Sequence, residues 1–327
     1  MHTIEVAYVG PRYICIDGGG SKYECRVLDG KGKCLPLRQH GKEVDCAVVE
    51  GANINFDGEE RVERALRSLF EEVYVGGNQP LCAWNHAVRT VVGMAGVARP
   101  DPRAKVAAIF EKIGISQDRL DLQGDVEMAL NAIPEENAVA VVCGTGHVIF
   151  GKVGGKLLDE KNNFFRLGGW GLEDDKASGY AIGMAGIKAV RARKFEKGEK
   201  TPLTKWFKAA FGSQKVLDVL ANIAKKEITP KQVAHFQRAV FDAAFRGDTV
   251  SQRIVHGYFI DYVADQLDTF TTRHGIKGAP VHFMGGLMKS EYGDLVMQVA
   301  AKRDATSKFD NKANSNVAVD YVSTKYL

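Results

Sequence analysis

Short apolar runs that end in glycine-rich turns organise the N-terminal part of the chain. Residues 13–17 predict a buried strand, the glycine-rich turn 18–21 follows it, and residues 22–28 predict a second strand. The run 29–32 (DGKG) has the composition of a hairpin turn and leads toward a third strand. This order of strand, turn and strand indicates a β-meander at the start of a sheet.

Other segments show the spacing of helices or of further strands. The predicted helices cover residues 57–73, 102–113, 126–132, 176–193, 201–211, 215–225, 230–245, 249–271 and 290–302. The predicted strands cover residues 88–94, 119–123, 280–284 and a segment near 317–322.

The opening pattern returns in the second half of the chain. Ala138–Cys143 is an apolar run, Gly144-Thr145-Gly146 is a glycine turn, and 148–153 is a second strand before a hairpin into 156–159. The repeated order indicates internal duplication. Mixed strands and helices in this order predict two α/β domains. We place their boundaries at residues 1–135 and 136–327, with helical insertions in the second domain.

Composition narrows the class of protein. The chain has 327 residues, of which 45% are hydrophobic, and its net charge of +4 gives no indication of a nucleic-acid partner. The N-terminus lacks the pattern of a signal peptide, and no apolar run is long enough to span a membrane. The six cysteines form no CxxC pair. We therefore expect buried thiols in a cytoplasmic protein.

The glycine turns offer a site for phosphate. Backbone N–H groups without obstructing side chains form anion-binding nests, and two such turns can hold one polyphosphate from both sides. Asp17, at the end of a buried strand, can hold Mg²⁺ through its water shell. Ser21 and Thr145 can add hydroxyl donors, and a nucleoside can lie flat against the pair Gly285-Gly286. For the first turn alone, a simple hairpin is an equally good interpretation.

These motifs resemble those of the BadF/BadG/BcrA/BcrD ATPase family, and within it the N-acetylglucosamine and glucosamine kinases of the actin–hexokinase–Hsp70 superfamily. The resemblance rests on 17–21 (DGGGS), 144–146 (GTG) and 285–286 (GG), with 51–53 (GAN) and the run GGWG at 168–171 followed by DKASG at 175–179 on the sugar side. It implies an α/β fold of two duplicated ribonuclease H-like domains, of the actin-like ATPase kind, around an interdomain cleft.

The resemblance also implies the activity and its residues. The expected reaction is ATP-dependent phosphorylation of the 6-hydroxyl of an amino sugar, with ATP and Mg²⁺ as cofactors and Asp125 as general base. Asn53, Asp125, Thr145 and Asp175 would contact the sugar, and Asp17 would hold the metal. The residues assigned to ATP and its phosphates are Gly18, Gly19, Gly20, Ser21, Lys22, Gly144, Thr145, Gly146, Gly285 and Gly286.

Simpler interpretations stand beside these roles. Asp125 and Asp175 can each be an N-cap of a helix, Asn53 a turn residue, and Trp170 a core residue. His147, Lys176 and Ala177 depart from the family pattern and leave the sugar undetermined. Lys176 adds a cation that favours an acidic sugar or points to solvent. His147 is more typical of a satisfied core histidine than of a catalytic one.

Two other functions compete with the kinase. An ATPase activator of 2-hydroxyacyl-CoA dehydratases would need cysteines that bridge a dimer through an iron–sulfur cluster, whereas Cys143 lies in a predicted buried strand. A sugar-sensing protein that kept the fold and lost catalysis is supported only by the three departures. The expected partner is a small-molecule sugar, with neither nucleic acid nor membrane. A homodimer would be usual for the family, although the sequence leaves the oligomeric state open.

Overall fold

The structure, a computed structural model, describes residues 12–20, 22–75, 79–84, 88–171, 174–212 and 214–327. The chain forms two compact units. The first contains the chain up to Pro134 together with Ser315–Leu327, and the second is Glu135–Asn314. We expected the second domain to continue to residue 327, but the C-terminal segment belongs to the first unit instead.

In its described residues up to Pro134, the first unit has ten strands and four α-helices. They are β1 (Arg12–Gly18), β2 (Lys22–Leu28), β3 (Cys34–Leu35), β4 (Leu37–Gln39), β5 (Lys42–Val44), β6 (Ala47–Glu50), α1 (Ile54–Asp57), α2 (Glu59–Glu72), β7 (Val73–Val75), β8 (Gln79–Pro80), β9 (Val88–Met94), α3 (Pro100–Lys112), β10 (Leu120–Gly124) and α4 (Asp125–Asn131).

The main sheet of the first unit has the order β10-β9-β1-β2-β3, with β6 paired to β2. Strands β1, β9 and β10 are parallel, whereas β2 is antiparallel to β1. A second, antiparallel sheet has the order β5-β4-β7-β8, which the sequence did not predict. Helix α2 buries Val62, Leu66, Leu69 and Phe70 against this unit's core because these residues recur on one face of the helix.

Among its described residues, the second unit has five strands and eight α-helices. They are β11 (Ala138–Cys143), β12 (His147–Lys152), β13 (Arg166–Gly168), α5 (Gly179–Phe195), α6 (Leu203–Phe211), α7 (Val216–Ala224), α8 (Pro230–His235), α9 (Gln237–Phe245), α10 (Thr249–Val255), α11 (Asp261–His274), β14 (Val281–Met284), α12 (Glu291–Arg303) and β15 (Phe309–Asn311).

The sheet of the second unit repeats the connectivity of the first. Its order is β13-β12-β11-β14-β15, with an antiparallel hairpin on one side of β11 and parallel strands on the other. The corresponding order in the first unit is β3-β2-β1-β9-β10. The two sheets therefore support the duplication that the turns suggested. The helices α5–α11 lie between β13 and β14.

Three sequence-based assignments are wrong. Residues 317–322 do not form a strand: helix α13 (Val317–Lys325) occupies this segment and belongs to the first unit. The third strand of the second repeat is β13 rather than 156–159, where only isolated bridges occur. The helix expected over 249–271 is divided by a π-helical turn, His256–Ile260. Local apolar spacing does not show which sheet a segment joins, and this limits the first two predictions. It also does not show a local change of hydrogen-bond pattern within a helix, which limits the third.

Within the described ranges, none of the helices has the length and apolar character needed to cross a lipid bilayer. All six cysteines are free thiols, and Cys15, Cys25 and Cys143 are buried.

Candidate active site

Two carboxylates flank the same strand at the carboxyl edge of the first unit's sheet. Asp17 is the second-last residue of β1 and pairs with Gly93 of β9. On the other side of β9, Gly124 of β10 pairs with Met94, and Asp125 follows it directly. Because the three strands are parallel and in register, Asp17 near the end of β1 and Asp125 just after β10 lie at the same edge of the sheet.

Gly93 makes room for this arrangement. A Cβ at this position would lie 2.8 Å from Cγ2 of Val317, 3.1 Å from Sδ of Met128 and 3.6 Å from Cα of Asp125. The first turn of α4 and the start of α13 therefore pack directly on the backbone of β9. A larger residue at position 93 would therefore displace the side chains of Val317 and Met128, whereas its distance of 3.6 Å from Cα of Asp125 is an ordinary contact.

Burial and like charge determine the electrostatics of the pair. Burial raises the pKa of Asp17 to about 7, with further contributions from the charges of Asp125 and Glu24. The backbone N–H of Val317 and the ammonium of Lys22 act in the opposite direction. Burial also raises the pKa of Asp125, against the backbone N–H groups of Val126 and Asp125 itself. Both carboxylates are therefore costly to keep ionised unless a cation lies beside them.

Asp125 is the first helical residue of α4, and Gly124 is the N-cap. The interpretation of Asp125 as an N-cap is therefore wrong. Glu127 holds the start of the helix instead, because its carboxylate accepts from the N–H of Gly124 at 3.1 Å and pairs with Arg103. The contacts of Glu127 thus fix the first turn of α4, and this turn sets the position of the Asp125 carboxylate.

The glycine turn of the first unit is closely packed. The N–H of Gly19 donates to the carbonyl of Lys22 at 3.0 Å. A Cβ on Gly51 would lie 2.3 Å from the carbonyl oxygen of Gly19. The turn therefore packs directly on the backbone of Gly51, where there is no room for a side chain. The side chain of Lys22, assigned to the phosphates, pairs with Glu24. Ser21, which has the same assignment, lies outside the described residues.

Asn53 stands beside this turn and caps α1. Its Oδ1 accepts from the N–H of Asn55 at 3.0 Å, and its Cβ lies 3.6 Å from the position of a Cβ on Gly20. A Cβ on Gly96 would lie 2.6 Å from the same Oδ1. Asn53 is therefore the N-cap of α1, and these close contacts fix its position next to the glycine turn. The Nδ2 amide group takes no part in the cap.

In the second unit, the turn Gly144-Thr145-Gly146 is closed by α5. The N–H of Gly144 donates to the carbonyl of Gly146 at 2.9 Å. The first two N–H groups of α5, on Gly179 and Tyr180, donate to the carbonyls of Gly144 and Thr145 at 2.7 and 3.3 Å. With these carbonyls directed toward the helix, the turn has a fixed shape.

The pair Gly285-Gly286 lies at the same edge of the second sheet, because β14 is parallel to β11 and pairs Met284 with Val142. Gly285 has φ +94°, and a Cβ there would lie 2.4 Å from the carbonyl oxygen of Cys143. A Cβ on Gly144, Gly146 or Gly286 would meet no heavy atom of the described residues within 4 Å. Both turns therefore present backbone to open space.

Asp175 shapes the neighbouring loop. It is buried, and its two carboxylate oxygens accept from the N–H groups of Gly169 and Gly171 at 2.9 and 3.3 Å. Ser178, not Asp175, is the N-cap of α5, so the capping interpretation is wrong here as well. Trp170 is 62% exposed and lies under the guanidinium of Arg166, and is not a core residue.

Of the departures from the family pattern, two are buried. His147 is 3% exposed, its Nδ1 lies 3.2 Å from the carbonyl of Val142, and burial lowers its pKa to about 4. It is a neutral core histidine, as the sequence suggested. Ala177 is buried, and Lys176 is exposed with its ammonium 5.8 Å from the ring centroid of Tyr262.

Three residues near these groups escaped sequence reasoning. Glu24 pairs with Asp17 across β1 and β2. Val317 packs on Gly93, the β9 partner of Asp17, with its Cγ2 2.8 Å from the position of a Cβ on Gly93. Tyr262 lies close enough to Asp175 for that charge to raise the pKa of Tyr262, after burial. The alternation of β2 would have placed Glu24 on the face of Asp17 once the hairpin register was known. No sequence signal points to Val317 or Tyr262.

The donor set fits a hydrated magnesium ion. The described residues include no group of three or more His, Cys, Asp or Glu side chains that could hold a metal, so an all-protein cage is absent from this part of the chain. Asp17 and Asp125 nevertheless offer carboxylate oxygens at one edge. Mg²⁺ is usually bound by one or two carboxylates, several waters and substrate phosphates.

Comparison with known proteins agrees with this geometry. Residues 14–314 match the BadF/BadG/BcrA/BcrD ATPase family. The chain belongs to this family. The resemblance inferred from the motifs is therefore confirmed.

Two curated relatives are similar over most of their length. An N-acetylmuramic acid/N-acetylglucosamine kinase of Clostridium acetobutylicum is 29% identical over 245 residues, which is 74% of each chain. An N-acetyl-D-glucosamine kinase of Dictyostelium discoideum is 25% identical over 256 residues, again 74% of each chain.

Two solved structures share the fold. A candidate N-acetylglucosamine kinase from Porphyromonas gingivalis has a TM-score of 0.71 at 17% identity, covering 97% of this chain and 99% of its own. A ROK family glucokinase from Streptomyces griseus, solved with glucose and AMPPNP, has a TM-score of 0.55 at 14% identity, covering 95% and 98%. The predicted α/β fold with a duplicated strand order is confirmed.

Proposed function

We propose that this family member is an ATP-dependent kinase that phosphorylates the 6-hydroxyl of an amino sugar, N-acetylglucosamine or N-acetylmuramic acid. The observation that carries the proposal is the convergence of Asp17 and Asp125 on one edge of the first sheet. The names of the two curated relatives support the substrate class.

Asp125 is the general base in this proposal. A base that accepts the hydroxyl proton works best when its pKa is close to the working pH, and burial raises the pKa of Asp125 in that direction. Its position at the first turn of α4 keeps the carboxylate in place through the Glu127 and Arg103 contacts. Proton transfer by such a group is typically worth ~10²–10⁴ in rate.

Asp17 would hold Mg²⁺ beside the phosphates, together with the water shell of the ion. When bound, the ion supplies positive charge that offsets the charge developing on the β- and γ-phosphates. Without a cation, the charges of Asp17, Asp125 and Glu24 repel one another. The arrangement therefore favours a loaded site over an empty one.

The glycine turns would bind the nucleotide. The turns at 18–20 and 144–146 would lie against the phosphates, with the N–H groups of Gly20, Thr145 and Gly146 directed at phosphate oxygens and with Ser21, Lys22 and Thr145 adding donors. The N–H groups of Gly19 and Gly144 close the two turns instead. The open space above Gly286 supports a flat contact with the nucleoside. Because hydrogen bonds within each turn and from α5 fix the shape of the two turns, the remaining N–H groups would need little reorganisation during transfer.

Asn53, Thr145 and Asp175 would contact the sugar. Asp175 keeps acceptor capacity after its two loop contacts, since an ionised carboxylate accepts about four hydrogen bonds. Lys176 follows it directly and is exposed. A cation next to the sugar site would favour the carboxylate of N-acetylmuramic acid, which agrees with the name of the relative from Clostridium acetobutylicum.

The alternative as an activator of a dehydratase is less well supported. It would need cysteines at a surface to ligate an iron–sulfur cluster, but Cys143 is fully buried and burial raises the pKa of its thiol.

A coupled ADP-release assay tests the proposal. The sugars would be N-acetylglucosamine, glucosamine, N-acetylmuramic acid and glucose, with 6-deoxy-N-acetylglucosamine as the matched control that lacks the acceptor hydroxyl. We expect release with the first and third sugars and none with the 6-deoxy analogue. ADP release that does not depend on any sugar, or a product phosphorylated at another hydroxyl by NMR, would refute it.

A further inference from the structure

The loop that joins β9 to α3 (residues 95–99) holds two parts of the candidate site in the first unit. The N–H of Ala95 donates to the carbonyl of Gly18, at the start of the glycine turn, at 2.7 Å. Nδ2 of Asn55 donates to the carbonyl of Gly96 at 2.9 Å. Asn55 stands on α1, the helix whose N-cap is an expected sugar contact. The loop therefore fixes the glycine turn and α1 relative to each other.

Arg103 joins this loop to α4, the helix that begins with the expected base. It lies near the start of α3, where its Nε donates to the carbonyl of Val97 at 3.0 Å and its Nη2 pairs with Oε2 of Glu127. The same carboxylate oxygen accepts from the N–H of Gly124 at 3.1 Å. A Cβ on Gly124 would lie 3.3 Å from the Cβ of Ala98, so the end of β10 also packs on the loop. One guanidinium thus connects the loop with the residue just before the base.

The surroundings of Arg103 favour a fixed geometry over a loose surface pair. Val97 is fully buried, and the side chains of Arg103 and Glu127 are 35% and 18% exposed. A single exposed ion pair contributes little, because two long side chains lose conformational freedom. A planar guanidinium that serves two acceptors on different elements is instead held in one orientation, and its bond to a carboxylate is charge-assisted. The guanidinium therefore sets the spacing between the loop and α4.

We propose that Arg103 is a positioning residue for Asp125. Its guanidinium holds the first turn of α4 against the loop 95–99, and therefore at a set distance from the glycine turn that the same loop holds. The inference rests on the proposed role of Asp125 as general base. A displacement of about 1 Å at a reacting group can cost roughly 10²-fold in rate. Without Arg103 the loop keeps its hydrogen bonds to Gly18 and Asn55, so turnover should fall while substrate binding persists.

Arg103→Ala removes the guanidinium, and alanine keeps the helical tendency of α3. Arg67→Ala is the matched control: Arg67 lies on α2 in the same unit, its Nε donates to Oε1 of Glu63 at 2.9 Å, and its side chain is 41% exposed. We expect kcat for sugar phosphorylation to fall roughly 10- to 100-fold in Arg103→Ala, with the KM for ATP and the KM for sugar changed less than about threefold. Arg67→Ala should keep the parent's kcat and KM values.

Two further measurements separate positioning from a general loss of stability. The kcat is expressed per nucleotide site, counted by calorimetric titration with ADP, so that unfolded protein does not lower it. Adding Glu127→Gln to Arg103→Ala should lower kcat little further, since both residues act through one contact. If Arg103→Ala fails to fold, Arg103→Lys replaces it, because lysine keeps the charge but lacks the planar fork. A parent-like kcat in the folded variant, equal losses in the two arginine variants, or full multiplication of the two single losses would overturn the inference.

Hydrogen–deuterium exchange distinguishes this inference from the proposed function. We expect faster exchange over residues 124–131 in Arg103→Ala and parent-like exchange there in Arg67→Ala, since only the first variant releases the start of α4. If no sugar promotes ADP release but exchange rises in this way, the amino-sugar kinase is wrong and the positioning of α4 by Arg103 stands. If sugar phosphorylation is found and Arg103→Ala keeps the parent's kcat and exchange, the kinase stands and the positioning role is wrong.

Discussion

Asp17 and Asp125 lie on opposite sides of one strand, at the carboxyl ends of β1 and β10, with the backbone of Gly93 between them. They are separated by more than a hundred positions in the sequence. The charge of Asp125 nevertheless raises the pKa of Asp17, after burial. A pair of this kind is costly to maintain without a cation, which is typical of functional sites.

Asp125→Asn should lower sugar-dependent turnover by ~10²–10⁴, because an amide cannot accept the hydroxyl proton. Nucleotide binding should persist, since the glycine turns are not altered. Steady-state kinetics and calorimetric titration with ADP measure the two effects. Glu127→Gln is a useful comparison, because it weakens the anchor of α4 without removing the base. Near-normal turnover in Asp125→Asn would exclude this residue as the base.

Asp17→Asn should abolish most activity and yet stabilise the metal-free protein at pH 8. Asp17 has a pKa of about 7 in the folded protein and 3.8 in the unfolded chain, so the folded state binds more protons between these values. Stability from this group is therefore present below pH 4 and lost as the pH rises through 7.

Urea denaturation at pH 8 should show a gain of about 1–2 kcal/mol for Asp17→Asn, and the gain should vanish near pH 4. The exposed Asp45→Asn is the control and should show no such change. A variant that is less stable than the parent at pH 8 would contradict the repulsion between the buried carboxylates.

Alanine substitutions at the neighbouring positions Gly285 and Gly286 should have different effects. Gly285→Ala places a Cβ 2.4 Å from the carbonyl of Cys143 at φ +94°, so we expect a loss of roughly 2–5 kcal/mol in the free energy of unfolding. Gly286→Ala meets open space, and the protein should keep its stability. If the nucleoside lies there, the KM for ATP should rise by roughly tenfold or more. An unchanged KM for ATP would remove Gly286 from the nucleotide site.

His147 should make the protein less stable in acid. Its pKa is about 4 in the folded protein against 6.5 in the unfolded chain, so between these values the unfolded state binds more protons. Stability therefore falls as the pH drops from 6.5 to 4. Between pH 7 and 4.5 we expect His147→Asn to lose about 2–3 kcal/mol less than the parent. The exposed His235→Asn should keep the parent's pH dependence, and equal slopes for all three proteins would disprove the assignment.

The local pattern of apolar and turn-forming residues was sufficient to predict most of the strands and helices. The strands at β1, β2, β9 and β11 and the glycine turns between them followed from apolar runs and turn residues that act over a few positions. The small antiparallel sheet of β4, β5, β7 and β8 was missed, since its strands are two or three residues long. Helix α13 was taken for a strand, because 317–322 (VAVDYV) is a short, mostly apolar run, and such a run does not distinguish a strand from a buried helix.

The candidate site was recognised by motif and not by geometry. Asp17, Asp125 and the glycine pairs stand in family motifs that can be read along the chain. The capping roles were assigned to the wrong residues: Gly124 and Ser178 cap the helices, and Asp175 fastens a loop. A cap depends on where the first helical turn begins, and sequence-based helix boundaries are uncertain by a few residues.

By itself, the sequence determined the class of fold, the duplicated strand order and the residue types available for phosphate, metal and base, because these follow from turn chemistry and from spacing within short segments. Only the tertiary structure decided that α13 returns to the first unit, that Glu24 pairs with Asp17, and that Gly93 leaves room for Val317 and Met128. These relationships join residues far apart in the chain, and they are set by sheet register and close packing, which local sequence does not encode.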